Sequence, residues 1–171
     1  MLILGIDPGT ATTGYGLLKA DAPNFEVIEF GLIETDKNGH PGKRLETIFE
    51  SMTELLKRFS PDVIAMEKLF FATNAKTAMA VGQAQGVMFL AASKMKVEVF
   101  EYAPGTIKKM IAGDGRADKK MVQRSLRELL GAKVRSKAKK RTHFDNSADA
   151  LAVALCHSYK INQIGGEKYG F

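Results

Sequence analysis

Twice in this chain an apolar run stops at a carboxylate: Leu2-Ile-Leu-Gly-Ile6 before Asp7, and Val63-Ile-Ala-Met66 before Glu67. A run this dense reads as a strand covered on both faces, as in the middle of a parallel or mixed sheet. Between the two lies Lys43 to Phe59, where Leu45, Ile48, Phe49, Met52, Leu55, Leu56 and Phe59 fall on one helical face. A helix joining two strands is the crossover that makes them parallel. Asp7 and Glu67 are therefore expected at one edge of a sheet, with neighbouring strands about 4.8 Å apart. The carboxyl ends of parallel strands are where such sheets place their sites. A half-buried carboxylate there is costly unless something positive pairs with it. Each acid also has a plainer role open to it: Asp7 as the cap of its Pro8-Gly9 turn, Glu67 as a surface glutamate opening a loop.

The other segments follow from local pattern. Thr13 to Ala20 and Asn24 to Thr35 are expected as strands that form an antiparallel meander with the first. Asp36 to Gly42 is a loop by composition, and Ser60-Pro61 ends the first helix. Two adjacent aromatics, Phe70 and Phe71, sit in the loop after Glu67. One of them anchors the loop, or the pair offers a wedge or stacking surface for a base. Asn74 to Met95 is expected as one helix, in which Ala78, Gly82 and Gly86 recur every four residues. Glycine within a helix costs about 1 kcal/mol against alanine, so a close packing partner is expected. The protein's own sheet is the default partner, and a second subunit is the alternative.

Val97 to Tyr102 is expected as a further strand, and Pro104 opens a short helix to Ala112. After the Gly113–Ala117 turn, Asp118 caps a helix to Leu130 with Lys119, Lys120, Arg124 and Arg127 on its polar side. The last helix, Asp145 to Cys156, is expected to hold Asp145, Asn146 and Asp149 in its first turn. Asn146 would be the cap and Asp149 its capping-box partner. The pattern is that of one domain over residues 1–160 with a loose tail over 161–171, where Gly165-Gly166 lies.

Charge points to a polyanionic partner. The 171 residues carry a net charge of +6, and residues 133–141, KVRSKAKKR, hold six bases and no acid. Most such runs are solvated loops, but one beside a carboxylate site suits a phosphate backbone. A lone cysteine, Cys156, excludes an internal disulfide and fits a reducing compartment. With no basic segment before Leu2 and no membrane-length run free of charge, a cytoplasmic protein is expected.

Four motifs, GIDPGTATTGYG at the start, MEKLFFATNAKTAMAVGQAQGV in the middle, YAPGTIKK later and SADALAVALCH near the end, stand in the order and spacing of one family. The chain resembles, over nearly its whole length, the RuvC Holliday-junction resolvases. The resemblance implies a ribonuclease H-like α/β fold, a mixed five-stranded sheet flanked by helices. It implies a homodimeric, magnesium-dependent crossover junction endodeoxyribonuclease that resolves four-way DNA junctions by paired nicks in recombination and repair. Two magnesium ions per site are implied, with manganese as a substitute, and the RuvA–RuvB branch-migration complex is an implied partner.

By position, Asp7, Glu67 and Asp149 resemble three of the family's four metal-binding acids. The fourth position, usually Asp or sometimes His, is Asn146 here. A neutral amide oxygen still binds a hard cation, with less charge. Asn146 as a natural weaker ligand, replacement by Asp145 or His143, and a substitution that stops cleavage all stay open. Phe70 resembles the aromatic that enters the unstacked junction centre, and Lys108 and Lys119 resemble the phosphate-contacting lysines. The glycine-ridged helix is implied to contribute to the dimer.

Other classes are weaker. Sugar-kinase and actin-like ATPases share the first motif but need two such domains, and no P-loop pattern is present. A junction-binding protein that does not cut is the serious rival, favoured by Asn146. A ribonuclease H-like nuclease for RNA or hybrids is a third, opposed by the Phe70 loop and the glycine ridge.

Overall fold

The computed structural model describes residues 1–21, 24–69, 75–131 and 141–168, with backbone alone for 141–146 and 163–168. In chain order the elements are β1 (Leu2–Asp7), β2 (Thr12–Asp21), β3 (Asn24–Glu34), α1 (Pro41–Phe59), β4 (Val63–Glu67), α2 (Ala75–Lys94), β5 (Glu98–Tyr102), α3 (Pro104–Ala112), α4 (Lys119–Leu130) and α5 (Arg141–Lys168). The strands form one sheet of order β3-β2-β1-β4-β5. β1, β2 and β3 pair antiparallel as a meander. β4 lies parallel to β1 and β5 parallel to β4. The mixed five-stranded sheet expected from the sequence is the one observed.

β1 is central and covered on both faces because its side chains alternate between two cores. Leu4 and Ile6 face Ile48, Met52 and Leu56 of α1 and Met88 of α2. Ile3 belongs to the opposite core, with Ile107 of α3, Leu126 of α4 and Leu151 and Leu155 of α5. The helix ends follow local chemistry. Asp118 accepts a hydrogen bond from Met121 N and caps α4, and Pro104 stands in the first turn of α3, both as expected.

α5 lies unusually close to the sheet. Gly5 of β1 is paired directly with Gly16 of β2, so two residues without side chains stand side by side. A Cβ on Gly5 would fall on the Ala150 carbonyl oxygen, and one on Gly16 would come within 2.7 Å of Leu151. Small residues on the helix complete the fit: Ala148, Ala150, Ala152 and Ala154 are all buried. Ser147 Oγ donates to the Gly31 carbonyl at 3.1 Å and ties the helix to β3. Gly5→Ala is therefore expected to lower stability by about 1–3 kcal/mol, the usual result of overpacking. In urea the unfolding midpoint would fall with the slope unchanged. An unchanged midpoint would mean that α5 rides up on the sheet without loss.

Two expectations need correction. α5 begins at Arg141, so Asp145, Asn146 and Asp149 lie inside the helix and its first turn holds no acid. Nothing in Arg141-Thr-His-Phe144 breaks a helix, so the turn starts before the residues expected to cap it. The capping-box role of Asn146 and Asp149 is thereby removed. The ridge on α2 does not pack on the sheet. Gly86 is exposed with nothing within 4 Å of its would-be Cβ, while Ala84, Gln85, Met88, Ala91 and Ala92 form the buried side. The α5 backbone is helical to Lys168. Residues 132–140, most of the basic run, lie outside the described residues, and Arg141 is the first residue of α5.

Candidate active site

The register of the sheet brings the acids together. Ile6 pairs with Met66, and both face the core under α1 and α2. One residue further along, Asp7 and Glu67 must turn to the other face, beneath α5, because successive strand side chains alternate. Glu67 pairs in turn with Tyr102 of β5. Asp7, Glu67 and Tyr102 thus form a row across the carboxyl ends of three parallel strands. Asp149 enters from above on α5, brought down by the contact of its neighbour Ala150 with Gly5.

The electrostatics record the convergence. Burial, then the charges of Glu67 and Asp149, raise the Asp7 carboxyl from 3.8 to about 7, against the pull of Lys119. Glu67 is also raised, first by burial and then by Asp149, while Lys108 and Lys119 oppose the rise. Three acids that disfavour one another's ionised form are held in a low-dielectric edge. Lys119, at the start of α4, offsets them directly: its Nζ meets Asp149 Oδ2 at 2.8 Å. A cavity of about 250 Å³ opens beside them, lined by Glu67, Pro104, Lys108, Lys119, Asp149 and Ala152.

Several supports were not foreseen from sequence. Gln85, buried on α2, donates from Nε2 to the Glu67 carbonyl at 3.0 Å and steadies the end of β4. Its signal was there to find: a lone amide among Ala84, Met88 and Ala91 on the apolar side of the helix. Lys68 N donates to the Tyr102 carbonyl at 2.8 Å, which extends the β4–β5 pairing past Glu67. In the loop after Asp7, the Thr13 hydroxyl donates to the Gly9 carbonyl at 2.7 Å and accepts from Gly9 N at 3.4 Å. Among the described residues that loop is bonded by Thr13 and not by a cap from Asp7.

The structure thus gathers Asp7, Glu67, Asp149, Lys108 and Lys119. Phe70 lies outside the described residues, and so does the Asn146 side chain. The Asn146 backbone is on α5 three residues before Asp149, a spacing that puts both on one side of the helix.

Hard oxygen donors crowded enough to repel are the chemistry a divalent cation relieves. Among the described residues, no three acidic, imidazole or thiol groups already surround one ion position. The donor set fits a hard cation in type and charge.

Comparison with known proteins finds matches along nearly the whole chain. The family model described as crossover junction endodeoxyribonuclease RuvC matches residues 3–157. The crossover junction endodeoxyribonuclease RuvC of Moorella thermoacetica is 47% identical over 158 residues, 92% of this chain and 91% of that protein. That of Halothermothrix orenii is 41% identical over 170 residues, 98% of this chain and 99% of its own. Among solved structures, Thermus thermophilus RuvC in complex with a Holliday junction substrate superposes with a TM-score of 0.85 at 31% identity, covering 95% of this chain and 96% of that one. The yeast mitochondrial Holliday junction resolvase Ydc2, at 15% identity and a TM-score of 0.71, shares the fold.

Proposed function

From the premise that this chain belongs to the RuvC family of crossover junction endodeoxyribonucleases, which are metal-dependent nucleases, we propose that it resolves four-way DNA junctions by paired phosphodiester nicks at the site formed by Asp7, Glu67 and Asp149. The observation that supports this most is the turn of Asp7 and Glu67 to one face at adjacent strand ends, with Asp149 electrostatically coupled to both.

Asp7, Glu67, Asp149 and the neutral oxygen of Asn146 would hold magnesium, as two ions per site, with manganese able to substitute. Bound there, divalent cations activate water and stabilise the leaving oxygen. The chain's own groups do the rest. The three carboxylates would hold the ions at the sheet edge. Lys108 and Lys119 set two positive charges at the cavity, suited to a scissile phosphate. Phe70, in the loop after β4, is proposed to enter the unstacked junction centre.

A homodimer suits this substrate, since a two-fold protein meets two equivalent strands of a two-fold junction. α2 offers a surface for it: Met79 is 69% and Leu90 52% exposed, and Phe89 lies open beside the bare Gly86. Exposed apolar side chains grouped on one helix mark an interface. The nuclease domain is taken as residues 1–160, working in the cytoplasm with the RuvA–RuvB branch-migration complex as a further partner. Among the described residues no helix is long and apolar enough to cross a membrane.

The test is nicking of a mobile four-way junction with magnesium, against linear duplex and a chelator. Expected are paired nicks in the junction alone, lost on chelation. Tight junction binding with no nicks, restored by Asn146→Asp, would make the chain a disarmed resolvase that binds junctions without cutting them. Junction and duplex bound alike, without cutting, would end this assignment.

A further inference from the structure

The third member of the strand-end row has no place in the chemistry above. Tyr102 is the partner of Glu67 across the β4–β5 ladder. Its hydroxyl is hydrogen-bonded at 2.6 Å to Nδ1 of His157, a residue of α5 that is wholly buried. The imidazole also lies on Phe100, two residues earlier in β5, with ring centroids 4.7 Å apart. Its Nε2 is buried with no hydrogen-bond partner among the described residues. Keeping a half-satisfied imidazole in an apolar core costs about 1–3 kcal/mol, so a hydrocarbon side chain would serve packing alone better.

Its position gives a reason for it. His157 stands on the helix that carries Asp149, two helical turns further on, and Tyr102 stands beside Glu67. The hydrogen bond therefore joins α5, which carries Asp149, to β5, the strand paired with the one that ends in Glu67. Burial lowers the pKa of His157, and burial followed by Cys156 pushes the Tyr102 phenol up to about 12. The pair is neutral and holds without altering the charge that a cation would meet.

We infer that Tyr102 and His157 are a positioning couple: their hydrogen bond clamps the end of β5 to α5 and so sets the separation of Glu67 and Asp149 for an ion. The inference rests on those acids being the ion site. Removing groups that orient metal ligands from behind commonly weakens metal binding about 10–100-fold.

The experiment is a magnesium titration read by melting temperature, on the full chain without DNA, because an ion that binds the folded state raises it. The unmodified protein should gain stability with magnesium, and Asp7→Asn should not. No gain in the unmodified protein would remove the ion site and this inference with it. Given that gain, Tyr102→Phe, which deletes one hydroxyl, should move the titration midpoint up about tenfold. Junction affinity in chelator should stay within about twofold, since phosphate contacts do not involve this pair. His157→Leu should shift the midpoint likewise, and His157→Asn, which keeps a polar atom near the Nδ1 position, should shift it less. A Tyr102→Phe protein that melts lower with an unmoved midpoint would show a merely structural bond and overturn the couple. So would one that no longer melts cooperatively.

Discussion

Asp7→Asn is expected to abolish junction nicking and, at the same time, to stabilise the metal-free protein. The loss of rate should be about 10³-fold or more, several kcal/mol of transition-state stabilisation, because the central ligand at the end of β1 is gone. The gain in stability has the opposite origin. The folded Asp7 carboxyl is raised from 3.8 to about 7 by burial and by its acidic neighbours. The folded state thus holds that proton more tightly than the unfolded chain does. Stability falls as pH rises from about 4 through about 7, and the full penalty is present above that range. Moving from 3.8 to about 7 corresponds to on the order of 4 kcal/mol before local relaxation, so a gain of about 2–4 kcal/mol is expected for Asp7→Asn at pH 8. Urea unfolding in chelator at pH 8 and pH 4 checks this: the variant should exceed the unmodified protein at pH 8 and lose its lead at pH 4. Equal stability at pH 8 would mean that Asp7 ionises without strain and that the acids do not converge.

Asn146→Asp is expected to act in the other direction on both counts. A fourth carboxylate one turn from Asp149 adds an attractive charge for a bound cation, worth about 1–3 kcal/mol at the dielectric of a protein edge. That corresponds to about 5–150-fold tighter magnesium binding, and the magnesium needed for half-maximal nicking should fall accordingly. Without metal the same charge adds repulsion, so the variant should melt lower in chelator and gain more from magnesium than the unmodified protein does. Magnesium dependence left unchanged would assign the fourth ligand to Asp145 or His143. Nicking that begins only in Asn146→Asp would define this chain as a disarmed resolvase.

Asp7 and Glu67 were legible because their placement needs only local pattern and one topological rule. Two buried strands joined by a helix run parallel, and acids ending both runs leave the sheet at one edge. Asp149 was legible by resemblance but not by physics. Its neighbourhood reads as a capping box, and the helix passes through those residues instead of starting at them. The α2 ridge failed for a related reason. A row of small residues every four positions announces that something will come close, without saying whether it is sheet or subunit. On this helix the side with Ala84, Gln85 and Met88 is the one turned to the core. Gln85 and His157 were passed over because a single polar residue in an apolar helix face has no periodicity of its own.

What the sequence determined by itself was therefore the set of elements, their order along the chain, the two strand-end acids and, through four spaced motifs, the family. These depend on alternation, helical spacing and short connections, all of which are properties of neighbouring residues. What only the tertiary structure decided was the set of contacts between residues far apart in the chain. Ala150 settles onto Gly5, Lys119 reaches Asp149 from another helix, and His157 meets Tyr102 across the core. Such contacts are set by how closely one helix can approach a sheet. That approach depends on the summed shape of side chains from both surfaces, and no single stretch of the chain contains it.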